Sequence, residues 1–378
     1  MLTILHTESS DGWGGQEIRI LRESLGMARR GHRVLIAAAP EASLYDRAKA
    51  SGLTAIPFRF NKRNPVDYYR LSVLVNRERV DIVNTHSSGD SWVAGVGAKF
   101  ARRAPLIIRT RHLSTPISRS FLSRILYDSL PDVVLTTGEE IRRRMIAVNR
   151  FRGERILSVP TGVDVERFDP EKVKPSLAAG SAAVGMVSVL RSWKGHEHFL
   201  RAVPGIRQEV PLATFVIVGD GPQRDNIRNL VADLGLQDRV LLLGHREDIP
   251  EVIASLDVLV HPSYANEGVP QSVLQALLMG KPVVAADVGG IGEVVRDGET
   301  GYLIPPKDPS ALAAKVVALL RNRELGKRLA DRGRTLVLRE YSFESMLDRI
   351  EDLYRRLREG RDIARPAADG RWEKPGRG

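Results

Sequence analysis

The chain alternates short apolar runs with amphipathic stretches, and this alternation constrains its fold more than any other feature. Leu2–His6 is a short β-type run, and Glu17–Arg30 then places apolar residues on one helical face. Further β-type runs follow at Arg33–Ala38, Ile82–His86, Leu106–Arg111, Val133–Thr136 and Ile156–Val159. Strands that alternate with helices predict a parallel sheet covered by helices on both faces.

The alternation is interrupted once and then begins again. The segment 169–182 contains two prolines, several charges and a run of small residues, which is typical of a domain boundary. Beyond it, β-type runs recur at Ala183–Val189, Ala213–Val218, Val240–Leu243, Val258–His261, Val283–Ala286 and Gly301–Ile304. A chain of 378 residues is long enough for two cores. We therefore predict two tandem doubly wound, Rossmann-like α/β domains that face a central cleft.

The domain limits follow from the same pattern. We predict an N-terminal domain over residues 1–170 and a C-terminal domain over residues 183–342. A helix over residues 343–359 is expected to pack back toward the N-terminal domain. Its apolar face consists of Met346, Ile350, Leu353 and Leu357. The tail over residues 360–378 is rich in Arg, Pro and Gly and is predicted to be disordered.

Composition excludes several classes of protein. The chain has no cysteine, which excludes disulfides, thiolate metal sites and a catalytic thiol. No apolar run approaches the roughly 20 residues that span a bilayer. Met1–His6 lacks the features of a signal peptide, so a cytoplasmic protein is expected.

The net charge of +11 favours anionic partners. Residues 1–175 hold 29 basic against 19 acidic side chains, so the excess belongs to the N-terminal half. An anionic membrane surface and phosphorylated substrates are therefore candidate partners. A nucleic-acid partner is not expected, because the basic residues form no motif with interleaved aromatic residues.

The first strand is followed by a glycine-rich loop that opens a helix. Gly14 and Gly15 allow backbone N–H groups to approach a phosphate at the helix N-terminus. Their spacing matches neither the dinucleotide G-x-G-x-x-G pattern nor the Walker motif with its lysine. A hydride-transfer enzyme and an NTPase are thus disfavoured, whereas a plain tight turn remains an alternative for this loop.

Four strand ends in the second half carry small, cationic or carboxylate residues. Cations neutralise phosphates and a carboxylate accepts hydrogen bonds from sugar hydroxyls, so the set suits a nucleotide diphosphate joined to a polyol. Because ligands of open α/β sheets bind beyond the carboxyl ends of the strands, these residues are candidate ligand contacts. They are Arg191, Lys194, Gly219, Gly221, Glu267, Gly268, Val269, Gln275, Gly289 and Gly290.

These motifs resemble those of the family 4 retaining glycosyltransferases of GT-B fold, in order over residues 2–357. The resemblance is carried by Glu267-Gly-Val-Pro with Gln275, Gly280-Lys-Pro-Val-Val-Ala, Pro160-Thr-Gly-Val-Asp-Val-Glu-Arg-Phe168 and Asp297-Gly-Glu-Thr-Gly-Tyr302. Arg109-Thr-Arg-His112 and Val189-Leu-Arg-Ser-Trp-Lys194 are most similar to members that build bacterial lipopolysaccharide or other surface polysaccharide.

The resemblance implies a role for each candidate residue. Arg191 and Lys194 would contact the departing diphosphate, and Glu267 would hold hydroxyls of the donor sugar. The remaining donor contacts would come from backbone around Gly268 and Val269, from the turns at Gly219, Gly221, Gly289 and Gly290, and from Gly14 and Gly15, which would close on the donor.

Two histidines that end predicted strands are candidates on the acceptor side. His112 matches the family histidine that faces the sugar and the acceptor, with a purely structural histidine as the alternative. His86 follows a less distinctive pattern, and both alternatives stay open for it. No Asp-x-Asp motif occurs in the chain, so no metal and no cofactor other than the nucleotide sugar co-substrate is expected. His196-Glu197-His198 lacks the spacing of a ligand pair on one helical face.

One position departs from the family pattern. The family pairs the first glutamate with a second one eight positions later, and this chain has Gln275 there. A neutral amide both accepts and donates, so the change bears on donor affinity and nucleotide choice.

The predicted function is that of a hexosyltransferase-type enzyme. It would transfer a sugar with retention to a lipid-linked or envelope glycan acceptor in lipopolysaccharide or surface polysaccharide biosynthesis, peripherally on the inner face of the cytoplasmic membrane. The alternatives are an inactive relative that serves as a binding subunit, and a nucleotide-sugar epimerase.

Overall fold

The computed structural model describes residues 1–112, 114–177, 182–265 and 267–360. The chain forms two compact units. The first comprises Met1–Pro160 together with the segment from Met346 onward, and the second comprises Thr161–Ser345. The chain thus enters the second unit before the predicted limit at residue 170. The tail predicted over 360–378 lies, from residue 361 onward, outside the described residues.

The first unit is a parallel sheet with helices between successive strands. Its strands are β1 Thr3–Thr7, β2 Arg33–Ala38, β3 Thr54–Pro57, β4 Ile82–Thr85, β5 Leu106–Arg111, β6 Val133–Thr136 and β7 Ile156–Ser158. Its helices are α1 Gly15–Arg29, α2 Ser43–Ala50, α3 Pro65–Glu78, α4 Ser88–Lys99, α5 Phe121–Arg124, which continues into a π-turn over Ile125–Ser129, and α6 Glu139–Ala147.

The order of these strands is β3-β2-β1-β4-β5-β6-β7, and all described pairs are parallel. The central strands are buried on both faces, as the successive buried residues Ile4 and Leu5 of β1 and Leu35 and Ile36 of β2 show. This burial explains why the continuous apolar runs predicted them well. β3 was not predicted from the sequence; it is an edge strand of four residues that ends at Pro57 and is only partly buried. The strand order reverses between β1 and β4, and this switch point is where α/β sheets bind ligands.

The second unit repeats this architecture. Its strands are β8 Ala182–Val187, β9 Ala213–Val218, β10 Val240–Gly244, β11 Val258–His261, β12 Val283–Ala286 and β13 Tyr302–Ile304. Its helices are α7 His196–Glu209, α8 Arg224–Asp233, α9 Ile249–Ala254, α10 Gln271–Leu278, α11 Pro309–Arg321 and α12 Arg323–Glu340. The strand order is β10-β9-β8-β11-β12-β13, which puts the switch point of this parallel sheet between β8 and β11.

The last described helix, α13 Phe343–Arg358, begins at the predicted residue and ends one residue before the predicted end. From Met346 onward it belongs to the first unit, where Ile350 and Tyr354 are fully buried. Ion pairs support this packing, because Arg30 lies 2.8 Å from Asp348 and 2.9 Å from Glu351. The apolar face of α13 therefore completes the core of the first unit, although the rest of that unit is distant in sequence.

Candidate functional site

A lysine and a glutamate from two neighbouring strand ends form an ion pair in the second unit. Lys194 ends a short 3₁₀ turn after β8, and Glu267 follows β11. The distance from Lys194 Nζ to Glu267 Oε1 is 2.6 Å. Glu267 is only 6% exposed, whereas the side chain of Lys194 is 19% exposed. The structure thus brings together two predicted site residues at the switch point of the sheet.

A buried histidine supports the glutamate. His261 Nε2 lies 3.5 Å from Glu267 Oε1, and the Ser263 hydroxyl lies 3.2 Å from the same ring nitrogen. Burial lowers the pKa of His261, so the ring is neutral. Burial also opposes ionisation of Glu267, but the hydrogen bond from His261 and the charge of Lys194 outweigh it and lower the pKa of Glu267 to about 2. His261 was not predicted as a site residue, although a polar residue at the end of an apolar strand was a usable signal.

Arg191 presents its charge to solvent beside this ion pair. Its guanidinium carbon lies 5.1 Å from the centroid of the Trp193 ring, and the side chain is exposed. Across the described residues, no carboxylate pairs with it. A cation held over an aromatic face without a carboxylate partner is available to an anionic ligand.

Two predicted donor-site glycines allow the loops after β8 and β9 to pack together. Gly219 has φ +140°, and a Cβ there would lie 1.9 Å from the carbonyl oxygen of Ser188. Gly221 has φ +155°, and a Cβ there would lie 2.7 Å from the carbonyl oxygen of Leu190. Both positions require glycine for backbone conformation and for space. The fold itself therefore accounts for these two residues, whatever they contact in a complex.

The fold also requires the glycine pair after β12, Gly289 for backbone conformation and space and Gly290 for space. Gly289 has φ +59°, and its Cβ would lie 2.2 Å from the carbonyl oxygen of Glu267. The Gly290 N–H donates to that same carbonyl at 3.3 Å. These contacts fix the backbone at Glu267, so the two glycines help to position its carboxylate.

The loop before α10 carries the other predicted donor contacts. Gly268 and Val269 are half-buried, and α10 starts at Gln271 after Pro270, with no side-chain hydrogen bond capping it. Gln275 lies on the second turn with its side chain half-buried. The positive end of α10 is therefore not neutralised by a local side-chain cap.

The glycine-rich loop of the first unit differs from those of the second. The Gly14 N–H donates to Glu17 Oε2 at 2.9 Å, which satisfies one N–H at the start of α1. Nothing lies within 4 Å of where a Cβ of Gly15 would be, and its φ is outside the left-handed region. The fold does not require glycine at position 15, so packing does not explain its presence.

A buried acidic network lies beneath this loop. The Gln16 amide donates to Glu8 Oε2 and, at 2.9 Å, to the Ser87 hydroxyl. Asp90 Oδ2 accepts hydrogen bonds from the Thr7 hydroxyl at 2.9 Å and from the His86 N–H at 2.8 Å. Burial, together with the nearby Glu8 charge, raises the pKa of Asp90 to about 7.

The two predicted histidines of the first unit lie side by side, and a third extends them into a chain. His86 Nδ1 lies 2.9 Å from His112 Nε2, and His6 Nδ1 lies 3.0 Å from His86 Nε2. The residues belong to or follow β1, β4 and β5, which are neighbours in the sheet. Burial lowers the pKa of all three rings, that of His6 to about 3, so the rings are neutral. His6, which lies inside β1, was not predicted as a site residue.

The described residues contain no group of three or more histidines and carboxylates placed to hold a metal ion. The three histidines bond to one another in a line, and this arrangement does not direct their nitrogens toward a common point.

Two family models match the chain. The model described as "Glycosyltransferase Family 4" matches residues 13–167, and the model described as "Glycosyl transferases group 1" matches residues 181–322. The first match lies within the first unit, apart from a few residues, and the second lies within the second unit.

Curated relatives resemble the chain over most of its length. A UDP-Gal:alpha-D-GlcNAc-diphosphoundecaprenol alpha-1,3-galactosyltransferase of Escherichia coli is 28% identical over 304 residues, which is 74% of this chain and 76% of the relative. A GDP-mannose-dependent alpha-(1-6)-phosphatidylinositol monomannoside mannosyltransferase of Mycolicibacterium smegmatis is 30% identical over 261 residues, which is 65% of this chain and 67% of the relative.

A solved structure shares the fold. The structure of Anabaena Alr3699/HepE in complex with UDP and glucose superposes with a TM-score of 0.78 at 21% sequence identity. The match covers 93% of this chain and 99% of that one. The architecture is thus the two-domain α/β GT-B fold that the sequence motifs predicted, and an identity this low carries the fold alone.

Proposed function

The chain belongs to the family 4 glycosyltransferases, and from this we propose that it transfers a sugar, with retention of configuration, from a nucleotide diphosphate donor to a lipid-linked or other envelope glycan acceptor. The observation that carries the proposal is the Lys194–Glu267 pair beside the exposed Arg191 at the β8–β11 switch point. Family membership makes the chain a glycosyltransferase, whereas its substrates must be argued from the site.

The ion pair suits a donor that has both a diphosphate and a polyol. An arriving diphosphate offers Lys194 a doubly charged partner, and Arg191 can bind two of its oxygens at once. Glu267 is ionised in the ion pair, where its pKa is about 2, and its carboxylate can accept hydrogen bonds from sugar hydroxyls. When the donor binds, Lys194 would exchange Glu267 for the diphosphate, and Glu267 would exchange Lys194 for the sugar hydroxyls. Both ends of the donor would then be held.

The proposed reaction follows from where charge develops. As the bond from the anomeric carbon to the phosphate oxygen breaks, negative charge grows on the diphosphate and positive charge grows on the sugar ring. Arg191, Lys194 and the positive end of α10 stabilise the departing anion. The acceptor oxygen bonds to the anomeric carbon on the face that the diphosphate leaves, and the acceptor proton passes to a departing phosphate oxygen.

The first unit contributes polar groups that do not carry net charge. We assign to His112 the contact with the sugar and the acceptor, because its ring is neutral and half-buried at the end of β5. We assign to Gly14 and Gly15 the approach to the donor. The open space around Gly15 supports this, since a glycine that packing does not need leaves room for a ligand.

The proposed acceptor is lipid-linked. The names of the two relatives above specify a diphosphoundecaprenol and a phosphatidylinositol acceptor, respectively. In this chain Phe121 is 76% and Leu122 is 60% exposed on α5, with exposed Arg119 and Arg124 beside them. Ile125, which follows α5, packs against the core of the first unit. Aromatic and aliphatic side chains flanked by arginines suit the surface of an anionic membrane.

This surface would hold the enzyme at the membrane peripherally. Among the described residues, no helix has both the length and the apolar composition needed to cross a bilayer. We propose that α5 and its flanking arginines, namely Arg119, Phe121, Leu122 and Arg124, contact the anionic inner face of the cytoplasmic membrane. We also propose that catalysis needs no divalent ion, since the cations already named can neutralise the diphosphate.

A two-step experiment tests the function. Thermal-shift screening with UDP-, GDP-, ADP- and TDP-sugars identifies the donor, because a bound donor stabilises the folded protein by mass action. Nucleotide release is then measured with and without a membrane lipid extract, in EDTA and in magnesium. Extract-dependent release that EDTA does not reduce supports the proposal. Conversion of the donor sugar without extract would indicate an epimerase, and donor binding without any turnover would indicate an inactive binding subunit.

A further inference from the structure

We infer that His6 and His86 are positioning residues, which together hold His112 in one tautomer with its proton on Nδ1. The inference rests on the proposed function, in which His112 contacts the sugar and the acceptor. It goes further by stating what that ring offers to a substrate. His112 would act as a hydrogen-bond donor and not as a general base.

The geometry of the three histidines allows few arrangements of their ring protons. His86 uses both ring nitrogens, since Nε2 lies 3.0 Å from His6 Nδ1 and Nδ1 lies 2.9 Å from His112 Nε2. A neutral imidazole has one donor and one acceptor nitrogen. Each bond must therefore run in the same direction along the chain. The protons point either from His6 toward His112 or from His112 toward His6.

The environment of His6 selects between these directions. Its Nε2 is buried and, within the described part of the chain, has no hydrogen-bond partner. The ring is fully buried. A buried N–H that has no acceptor is tolerated less well than a buried lone pair, whereas His112 is half-buried and can present an N–H to solvent or to a ligand. The proton of His6 therefore resides on Nδ1 and is donated to His86.

The direction of the hydrogen bond between His6 and His86 fixes the direction of the bond between His86 and His112. His86 donates through Nδ1 to His112 Nε2, which leaves the proton of His112 on Nδ1. Burial and the charges of Arg19, Arg111 and Arg109 lower the pKa of His112 and so oppose an additional proton on this ring. The row of three histidines is not a route for removing a proton from the acceptor, because that proton would have to end on buried His6, whose pKa is about 3.

The fold holds the three histidine rings rigidly enough to fix the tautomer of His112. The rings of His6 and His86 stack with centroids 5.3 Å apart and an interplanar angle of 13°. The parallel pairing of β1 with β4 fixes the register, and Asp90 accepts a hydrogen bond from the His86 backbone at 2.8 Å. Neighbouring groups that fix the tautomer of a reactive histidine are a recurrent device in enzymes.

Nitrogen NMR of the full-length protein, labelled with ¹⁵N-histidine and without substrate, tests the inference directly. The signals are assigned by difference with His6→Phe, His86→Phe and His112→Ala. We expect His112 to be the Nδ1–H tautomer in the unsubstituted protein. Both phenylalanine variants keep a stacked ring but remove the directing bond, so they should give a mixture of tautomers at His112. The exposed His245 provides the matched control, and His245→Phe should leave the His112 signals unchanged.

Kinetics separate positioning from a purely structural role. We expect His86→Phe to lower kcat by about tenfold to a hundredfold while the KM for the donor is unchanged, as is usual when an orienting partner is lost. His6→Asn, whose amide can replace the Nδ1 donor, should recover most of the kcat that His6→Phe loses. If His6→Phe or His86→Phe loses its cooperative unfolding transition, that variant is replaced by His86→Gln in the NMR and kinetic measurements.

The outcomes distinguish this inference from the proposed function. An Nε2–H tautomer at His112 in the unsubstituted protein would overturn the inference, as would a His112 signal that the His6 and His86 variants do not change. Neither result depends on turnover. The expected tautomer in a protein that has no transferase activity would instead uphold the chain and reject the proposed function.

Discussion

Lys194 Nζ and Glu267 Oε1 lie 2.6 Å apart, so the cation and the carboxylate assigned to opposite ends of a donor are also each other's counter-ion. This relationship links activity to stability at the site. A buried carboxylate that loses its partner destabilises the fold, whereas a solvated loop residue would not.

We therefore expect Lys194→Ala to reduce both stability and turnover. Removing the ammonium leaves Glu267 buried with His261 as its remaining side-chain partner among the described residues, and the free energy of unfolding should fall by about 1–3 kcal/mol. Turnover should fall by about 10²–10³, the usual effect of losing one electrostatic donor. Urea denaturation and initial rates measure the two effects. The double variant Lys194→Ala/Glu267→Gln should regain stability but not activity, and equal stability of Lys194→Ala and the parent would contradict the argument.

Stability should also fall as the pH decreases below about 6.5, because several histidines are buried in the neutral form. Burial lowers the pKa of His6 to about 3 and that of His196 to about 4, from an ordinary value of 6.5. Below pH 6.5 the unfolded chain therefore binds more protons than the folded one, which favours unfolding. Asp90 opposes this trend, since its pKa is raised to about 7 from 3.8 and its protonation favours the folded state as the pH falls.

Burial raises the pKa of Glu8 and Glu23 as well, but the histidines outnumber these opposing carboxyls, because His86, His112 and His261 shift in the same direction as His6. Urea denaturation at a series of pH values between about 7 and 5 gives the slope of stability against pH. His6→Phe should make the slope shallower by about one proton. A stability that is constant over this range would show that the rings are charged in the folded protein.

Two glycines form a matched pair for testing the glycine-rich loop. Gly15→Ala should preserve or slightly raise stability, because the position is open and alanine favours a helix. If the loop approaches the donor, the same change should raise the donor KM. Gly289→Ala should lower stability by at least about 1–3 kcal/mol, since a Cβ there would meet the Glu267 carbonyl at a positive φ. Normal donor kinetics for Gly15→Ala would remove that residue from the donor site.

Gln275 should tune donor binding without taking part in bond breaking. A carboxylate can accept from both hydroxyls of a ribose diol, so Gln275→Glu should tighten or preserve binding of the donor. Gln275→Ala should weaken it by about 1–2 kcal/mol, the usual effect of a lost polar partner. Titration calorimetry with the donor found by thermal shift measures both. An alanine variant that binds normally but does not turn over would place Gln275 in the chemistry.

The exposed α5 surface should govern membrane attachment. Phe121→Ser/Leu122→Ser removes the two apolar side chains, while Arg119→Gln/Arg124→Gln removes two charges that contribute about 1 kcal/mol each near anionic lipid. Flotation with phosphatidylglycerol-containing and neutral vesicles measures binding. We expect the unsubstituted protein to prefer the anionic vesicles at low salt and both variants to bind them less. Equal or absent binding of the unsubstituted protein to the two vesicle types would reject this surface.

The sequence predicted the strands that lie inside each sheet better than those at its edges. Val133–Thr136 and Val283–Ala286 agree in their bounds with the structure, because buried parallel strands are continuous apolar runs. β3 was missed because an edge strand needs less apolar surface. The positions of His86 and His112 directly after strands were also readable, since a polar residue at the end of an apolar run is a local signal.

What the sequence by itself determined is local: the alternation of strands and helices, the glycine-rich turns and the residue types at the strand ends. Which of those ends meet was decided only by the tertiary structure. β1 pairs with β4 and β8 pairs with β11, and these pairings bring His6 to His86 and Lys194 to Glu267. The physical reason is that strand order and register depend on how whole elements pack across the sheet, and no spacing within the chain encodes them.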